Sequence, residues 1–251
     1  MKYIDFIPPI VIKIYKRLLL KLGIGDVRIH PFNELPKTIT PVLIIDVGAN
    51  IGDVTMAALR SFPSCKVICF EPVSESFSFL SDRLAAYSSR VTLIKKALSD
   101  ENRITDINIT SFHGANSIQK QSTFHLSANP SINELKQESI ELVKLDDYLE
   151  KFNNQKVDIL KIDVEGHELN VLKGGAKFLS KFVDVIIIEC SIMRDESWEN
   201  QSIAEIFKTL NDFGFRFINI FDVHHANLIV DPNMLCVQFD CVFRRLSSLQ
   251  K

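Results

Sequence analysis

Short apolar runs rich in β-branched residues recur along the chain, most of them followed by a stretch patterned for helix. The runs are VLIIDV (42–47), KVICFEP (66–72), RVTLIKKAL (90–98), KVDILKIDV (156–164), VDVIIIEC (183–190), FRFINIF (215–221) and LCVQFDCVF (235–243). Most are nearly continuous in apolar character, the pattern of strands covered on both faces. Between the second and third, Val73, Phe77, Leu80 and Leu84 form a helical stripe. Strands and helices in this rhythm predict right-handed crossovers and an α/β fold with a mostly parallel sheet. Two places break the rhythm. Residues 99–140 read as a long polar insert rich in Ser and Asn, and residues 222–234 are long enough to turn the last strand back antiparallel.

The N-terminus is patterned differently. After Pro8 and Pro9, Val11, Ile14, Tyr15, Leu18, Leu19 and Leu22 recur at helical spacing, with Lys13, Lys16, Arg17 and Lys21 opposite. This predicts a basic amphipathic helix within residues 1–24, ending near Gly23. Charges interrupt it too often for a bilayer span, and no small-residue cleavage site follows, so neither a transmembrane anchor nor a signal peptide is expected. Two readings stand: a helix packed on the domain, or one lying on an anionic membrane surface. The expected location is cytoplasmic, with peripheral membrane contact under the second reading.

Composition narrows the classes. A chain of 251 residues with 46% hydrophobic content can bury one large core, so residues 25–251 are taken as one domain. Lys and Arg number 29 against 31 Asp and Glu, so no global basic field points to nucleic acid. Five cysteines, spaced as Cys65–Cys69 and Cys236–Cys241, fit neither a zinc ribbon nor a CxxC pair and read as reduced core thiols.

In open parallel sheets, ligands sit beyond the carboxyl ends of the strands, so the residues closing each run matter most. The first run ends in DVGANIG, residues 46–52, where Gly48 and Gly52 allow a tight turn and a close backbone approach to a ligand. Glu71 closes the second run, 25 positions after Asp46, where a carboxylate can accept both hydroxyls of a ribose. An adenosine-containing cofactor follows. A dinucleotide is the rival, but its G-x-G-x-x-G fingerprint fails here, with Asn50 at the middle glycine and no third glycine. Asp46 would also face phosphates unfavourably, whereas it suits an ammonium group. The pattern therefore favours S-adenosylmethionine, and a plain turn after a buried strand is the bland alternative.

DVGANIGD resembles motif I of the class I, Rossmann-like methyltransferases, and FEP resembles their second motif. KIDVEGHELNVLKGG, with LDDYL at 145–149, resembles the signature of FkbM-type methyltransferases, and the resemblance spans about residues 42–240. It implies a seven-stranded sheet with an antiparallel last strand and methyl transfer, usually to a hydroxyl of a sugar in a glycan or polysaccharide or of a secondary metabolite. It further implies that Asp46, Gly48, Asn50 and Gly52 form the cofactor loop and that Glu71 holds the ribose. Ala97 and Leu98 fall beside adenine without the acid that many class I enzymes place there, so backbone amides are expected to recognise the base.

The candidate catalytic groups are Asp163, Glu165, His167 and Glu189. Asp163 and Glu165 share a face if the fourth strand extends that far. Asp163 has two open roles, binding the cofactor ammonium or acting on the acceptor. His167 titrates near neutrality and suits proton removal, or it caps the next helix. Glu168 is expected to face solvent. Glu189, in an apolar context, is either paired or functional. Acid and imidazole together can bind divalent cations, yet the spacing demands none and no metal is assigned. The insert, with His113, Asn116 and Ser117, is the expected acceptor pocket. An NAD-dependent oxidoreductase and a non-catalytic scaffold are the competing classes.

Overall fold

The computed structural model describes residues 39–111, 116–118, 134–193, 202–225 and 236–246, together with Phe32 and Leu35. The helix expected over 1–24 and His113 lie outside the described residues. Ten strands are described. β1 (Leu43–Val47), β2 (Lys66–Phe70), β3 (Val91–Ile94), β7 (Val157–Ile162), β8 (Val183–Met193), β9 (Phe215–His225) and β10 (Cys236–Arg245) form one sheet, ordered β3-β2-β1-β7-β8-β10-β9. Its strands are parallel except β10, which runs antiparallel between β8 and β9. This is the Rossmann-like architecture that the sequence pattern and its resemblance imply.

Both faces are covered, as continuous apolar strands require. Along β8, Ile186, Ile188 and Cys190 pack into one core with Leu169 and Leu172 of α3 (Glu168–Gly174), Phe178 of α4 (Ala176–Phe182) and Ile206 of α5 (Ile203–Asp212). The alternate residues Val185 and Ile187 pack on the other side with Met56 and Leu59 of α1 (Asp53–Ser61) and Leu80 and Leu84 of α2 (Ser74–Leu84). The stripe expected over 73–84 is thus the buried face of α2, with Phe77 only partly covered.

The LDDYL segment forms a single tight turn over Leu145–Tyr148. Asp146 there accepts the first amides of α4, from Phe178 at 2.8 Å and Lys177 at 3.2 Å. A carboxylate at that helix end satisfies orphan donors and meets the positive end of the helix dipole.

Two expectations change. The run 90–98 is not one strand: β3 ends at Ile94, and Ala97–Leu98 forms β4, which joins a second sheet ordered β4-β6-β5. The polar insert supplies the rest of that sheet, β5 (Arg103–Thr110) paired antiparallel with β6 (Glu134–Val143). These strands alternate polar and apolar residues because part of their surface stays in water, so their composition mimics a loop.

Phe178 is fully buried, and its ring lies edge-on to Phe152 with 6.2 Å between centroids. Phe178→Ala should lower the unfolding free energy by about 3–5 kcal/mol in urea melts. A loss below about 1 kcal/mol would mean that α4 is not anchored by this ring.

Candidate active site

The order of the main sheet reverses between β1 and β7, and the crevice lies there. A cavity of about 660 Å³ opens beyond the strand ends, lined by the β1 loop, Glu71, Ala97, Leu98, Asp163, Glu165, His167 and Glu189 among others. Every candidate catalytic residue therefore meets one cavity.

The loop after β1 is folded tightly. The amides of Gly48 and Ala49 both donate to the Phe70 carbonyl at 3.0 Å, and Asn50 takes a left-handed backbone with φ 49°. Gly48 has φ 79°, and a Cβ there would stand 1.8 Å from the Asp163 carbonyl oxygen. A side chain at 48 is thus excluded twice, by backbone conformation and by space.

Glu71 is 5% exposed. Its carboxylate accepts the amides of Val73 and Asn50, both at 2.9 Å, which ties the end of β2 to the β1 loop. Burial pushes its pKa up to about 7, against the pull of those two amides. Each carboxylate oxygen spends one lone pair on a backbone donor and keeps acceptor capacity for a ligand hydroxyl. The Asn50 Oδ1 atom is buried without a hydrogen-bond partner among the described residues. A buried acceptor without a donor is costly, and a ligand donor in the cavity would satisfy it. With Ala97, Leu98 and Ile107 as an apolar wall, these features fit an adenosine group.

Asp46 is placed differently from expectation. It is 2% exposed and absent from the cavity lining, and it accepts a 2.5 Å hydrogen bond from Thr55 Oγ1 on α1. Burial raises its pKa to about 6, with the Thr55 bond and Lys161 opposing. Its carboxylate fastens β1 to α1.

The strand expected to carry Asp163 and Glu165 stops at Ile162, and Glu165 adopts φ 49°. The shared face therefore comes from a bend and not from strand alternation. Ser117 Oγ donates to the Glu165 carbonyl at 2.6 Å, so the insert braces this bend, while Asn116 and Ile118 line the cavity beside it. Glu168, expected in solvent, is 2% exposed and accepts the amides of Val164 at 3.1 Å and Gly166 at 3.3 Å. It supports the bend from within. His167 precedes α3 without a side-chain cap; its Nε2 lies 2.9 Å from Ser99 Oγ, and burial lowers its pKa.

Oxygens of Asp163, Glu165 and Glu189 come within 4.8 Å of one another. A shared proton or a small cation tolerates that spacing, and we assign no metal. Burial, then the neighbouring Asp163, raises the pKa of both Glu165 and Glu189 well above the usual carboxylate value.

Sequence reading missed Lys161 and Asp240. Lys161 is 2% exposed, with its Nζ 2.9 Å from Asp240 Oδ1 on β10 and 3.4 Å from Asp163 Oδ2. A lysine inside a strand buried on both faces, and an aspartate inside the apolar run LCVQFDCVF, must each find a partner. That signal was available.

A family model described as the methyltransferase FkbM domain matches residues 46–217. The chain is 28% identical to a methyltransferase, sdnD, of Sordaria araneosa over 68% of its length and 73% of that protein. It is 27% identical to the 2-O-methyltransferase NoeI of Sinorhizobium fredii, over 55% of this chain and 59% of that one. It is 31% identical to the hexuronic acid methyltransferase AglP of Haloferax volcanii, over 57% of this chain and 54% of that one. A solved FkbM methyltransferase from Methylobacillus flagellatus shares the fold, with TM-score 0.51 and 15% identity over 82% of this chain and 45% of that chain.

The raised Glu71 pKa has a stability consequence. A carboxyl raised in the folded state adds stability that is fully present below its unfolded value near 4.5 and is lost as pH rises through about 7. Glu71→Gln removes this titration. The drop in unfolding free energy between pH 5 and pH 8 should shrink by about 2 kcal/mol in urea melts of the ligand-free protein. An unchanged pH dependence would contradict the burial described for this carboxyl.

Proposed function

The chain belongs to the FkbM methyltransferase family, and we propose that it transfers the methyl group of S-adenosylmethionine to a sugar hydroxyl in a glycan or polysaccharide. One observation carries this reading: Glu71, with acceptor capacity left for a ribose, shares a cavity with the Asp163, Glu165 and Glu189 carboxylates. An oxygen acceptor in the name of NoeI and a sugar acid in that of AglP support a carbohydrate hydroxyl.

Gly48 and Asn50 line the loop that the cofactor approaches, while Gly52, absent from the cavity lining, turns the chain into α1 against Leu80; Glu71 holds the ribose, and Ala97 and Leu98 border the base. When bound, S-adenosylmethionine supplies a methyl group on a sulfonium, already a good leaving group. The chain's task is to hold the acceptor oxygen in line and to take its proton. Glu165 and Glu189, which line the cavity with carboxylate oxygens within 4.8 Å of each other and of Asp163, suit that role. His167 is held neutral by burial and anchored on Ser99, which orients the loop that carries Glu165.

The cavity lining also bears on the acceptor. Among the described residues six carboxylates line it, from Asp53, Glu71, Asp163, Glu165, Glu189 and Asp240, of which Asp53 is paired with Arg83 at 2.6 Å and Asp240 with Lys161 at 2.9 Å, against one lysine, Lys96, paired with Glu141 at 2.6 Å. An acceptor bearing its own carboxylate would meet repulsion there, so a neutral sugar suits this wall better than a uronate.

Incubation with methyl-labelled S-adenosylmethionine and panels of neutral glycosides and glycuronides tests this. Label should enter the neutral glycosides as a methyl ether, and Glu165→Gln should lower kcat by about 10²–10⁴ while leaving S-adenosylhomocysteine affinity nearly unchanged. Label entering only phenolic or other non-sugar hydroxyls would defeat the sugar assignment.

A further inference from the structure

Among the described residues Lys161 is the most deeply buried cation at the site, and none of the steps above uses it. Its ammonium lies between β7 and β10, 2.9 Å from Asp240 and 3.4 Å from Asp163. Asp240 and Asp163 both line the cavity and differ in cover: the Asp240 side chain is 12% exposed and the Asp163 side chain 36%, so Lys161 is held on the deeper partner and reaches the shallower one. We propose that Lys161 is a positioning residue: anchored on Asp240, it holds Asp163 in the cavity wall and offsets the negative charge that Glu165 and Glu189 bring beside it.

The arrangement follows from charge. Asp46 on β1, Glu189 on β8, Asp240 on β10, Asp163 and Glu165 after β7, and Glu168 on α3 all act on this group or on one another. Among them Lys161 is the single positive side chain. Burial alone would pull its proton affinity down, but Asp163, Asp240 and Glu189 more than reverse this, so Lys161 stays charged. Glu165 and Glu189 each feel that charge, which opposes their protonation. Without it, the Glu165 and Glu189 carboxyls would hold their protons more tightly. Asp240 sets the strength of the effect, since it claims the closer share of the ammonium.

The two ends of this pair therefore have opposite effects on the same carboxyls. Removing the ammonium favours protonated Glu165 and Glu189, and removing Asp240 frees the ammonium to act on them more strongly.

The test is a carbon-13 carboxyl NMR titration of the full chain from pH 4 to pH 10, with signals assigned through Glu165→Gln and Glu189→Gln. In Lys161→Met the Glu165 and Glu189 midpoints should rise by about one unit or more, a tenfold gain in proton affinity. In Asp240→Asn they should fall, and in Lys161→Arg, which keeps the charge, they should stay near their original positions. Midpoints unmoved in folded Lys161→Met, or moved the same way by both substitutions, overturn the proposal. If Lys161→Met does not fold, Asp240→Asn decides, because midpoints that rise or stay put there contradict it. The consequence for catalysis rests on the methyl-transfer reading, whereas the titration needs neither cofactor nor acceptor, so the two ideas fail separately.

Discussion

The loops after β1 and β7 meet where no side chain fits. A Cβ on Gly48 would lie 1.8 Å from the backbone oxygen of Asp163, so the close approach of these two loops is set by the missing atom. From that approach the rest follows. The β1 loop can turn at Gly48 and Asn50 and present its amides to Phe70 and Glu71, and the chain after β7 can place Asp163 and Glu165 in the same wall. A cofactor loop and an acid cluster become neighbours across one sheet switch point.

The site stores much unfavourable electrostatics. Glu71, Asp46, Glu165 and Glu189 all have pKa values raised by burial, and backbone amides, Thr55 and Lys161 only partly offset it. Carboxylates shielded from water in this way, Asp46 and Glu71 fully and Glu165 and Glu189 in part, are concentrated where a ligand or a reaction uses them. The core pays for the site: two apolar clusters cover both faces of the main sheet and supply the stability that the cavity lacks.

Much of this was legible in the sequence, and the unread parts share a cause. Continuous apolar runs announced the seven main strands, and the glycines and acids at their ends announced the cavity, because strand ends translate directly into space. Contacts between distant elements did not translate. Asp46 looked like a ligand for an ammonium because nothing local revealed Thr55, on the next helix, as its partner. Glu168 looked solvated because its partners, the Val164 and Gly166 amides, turn inward only at the bend after β7. β5 and β6 looked like a loop because strands wetted on one side carry polar residues at alternate positions. Lys161 and Asp240 were readable in principle, as opposite charges inside two apolar strands, although neither strand alone says that they meet.

The central claim is that the cavity at the β1–β7 switch point holds S-adenosylmethionine through Glu71. Calorimetric titration with S-adenosylmethionine and S-adenosylhomocysteine, with NADH as control and Glu71→Ala alongside, addresses it directly. The account predicts saturable binding of both adenosyl ligands, no heat with NADH, and affinity about tenfold or more weaker in the folded variant, from loss of the hydrogen bonds of one charged group. Equal affinity in Glu71→Ala, or no binding by the folded protein, would contradict it.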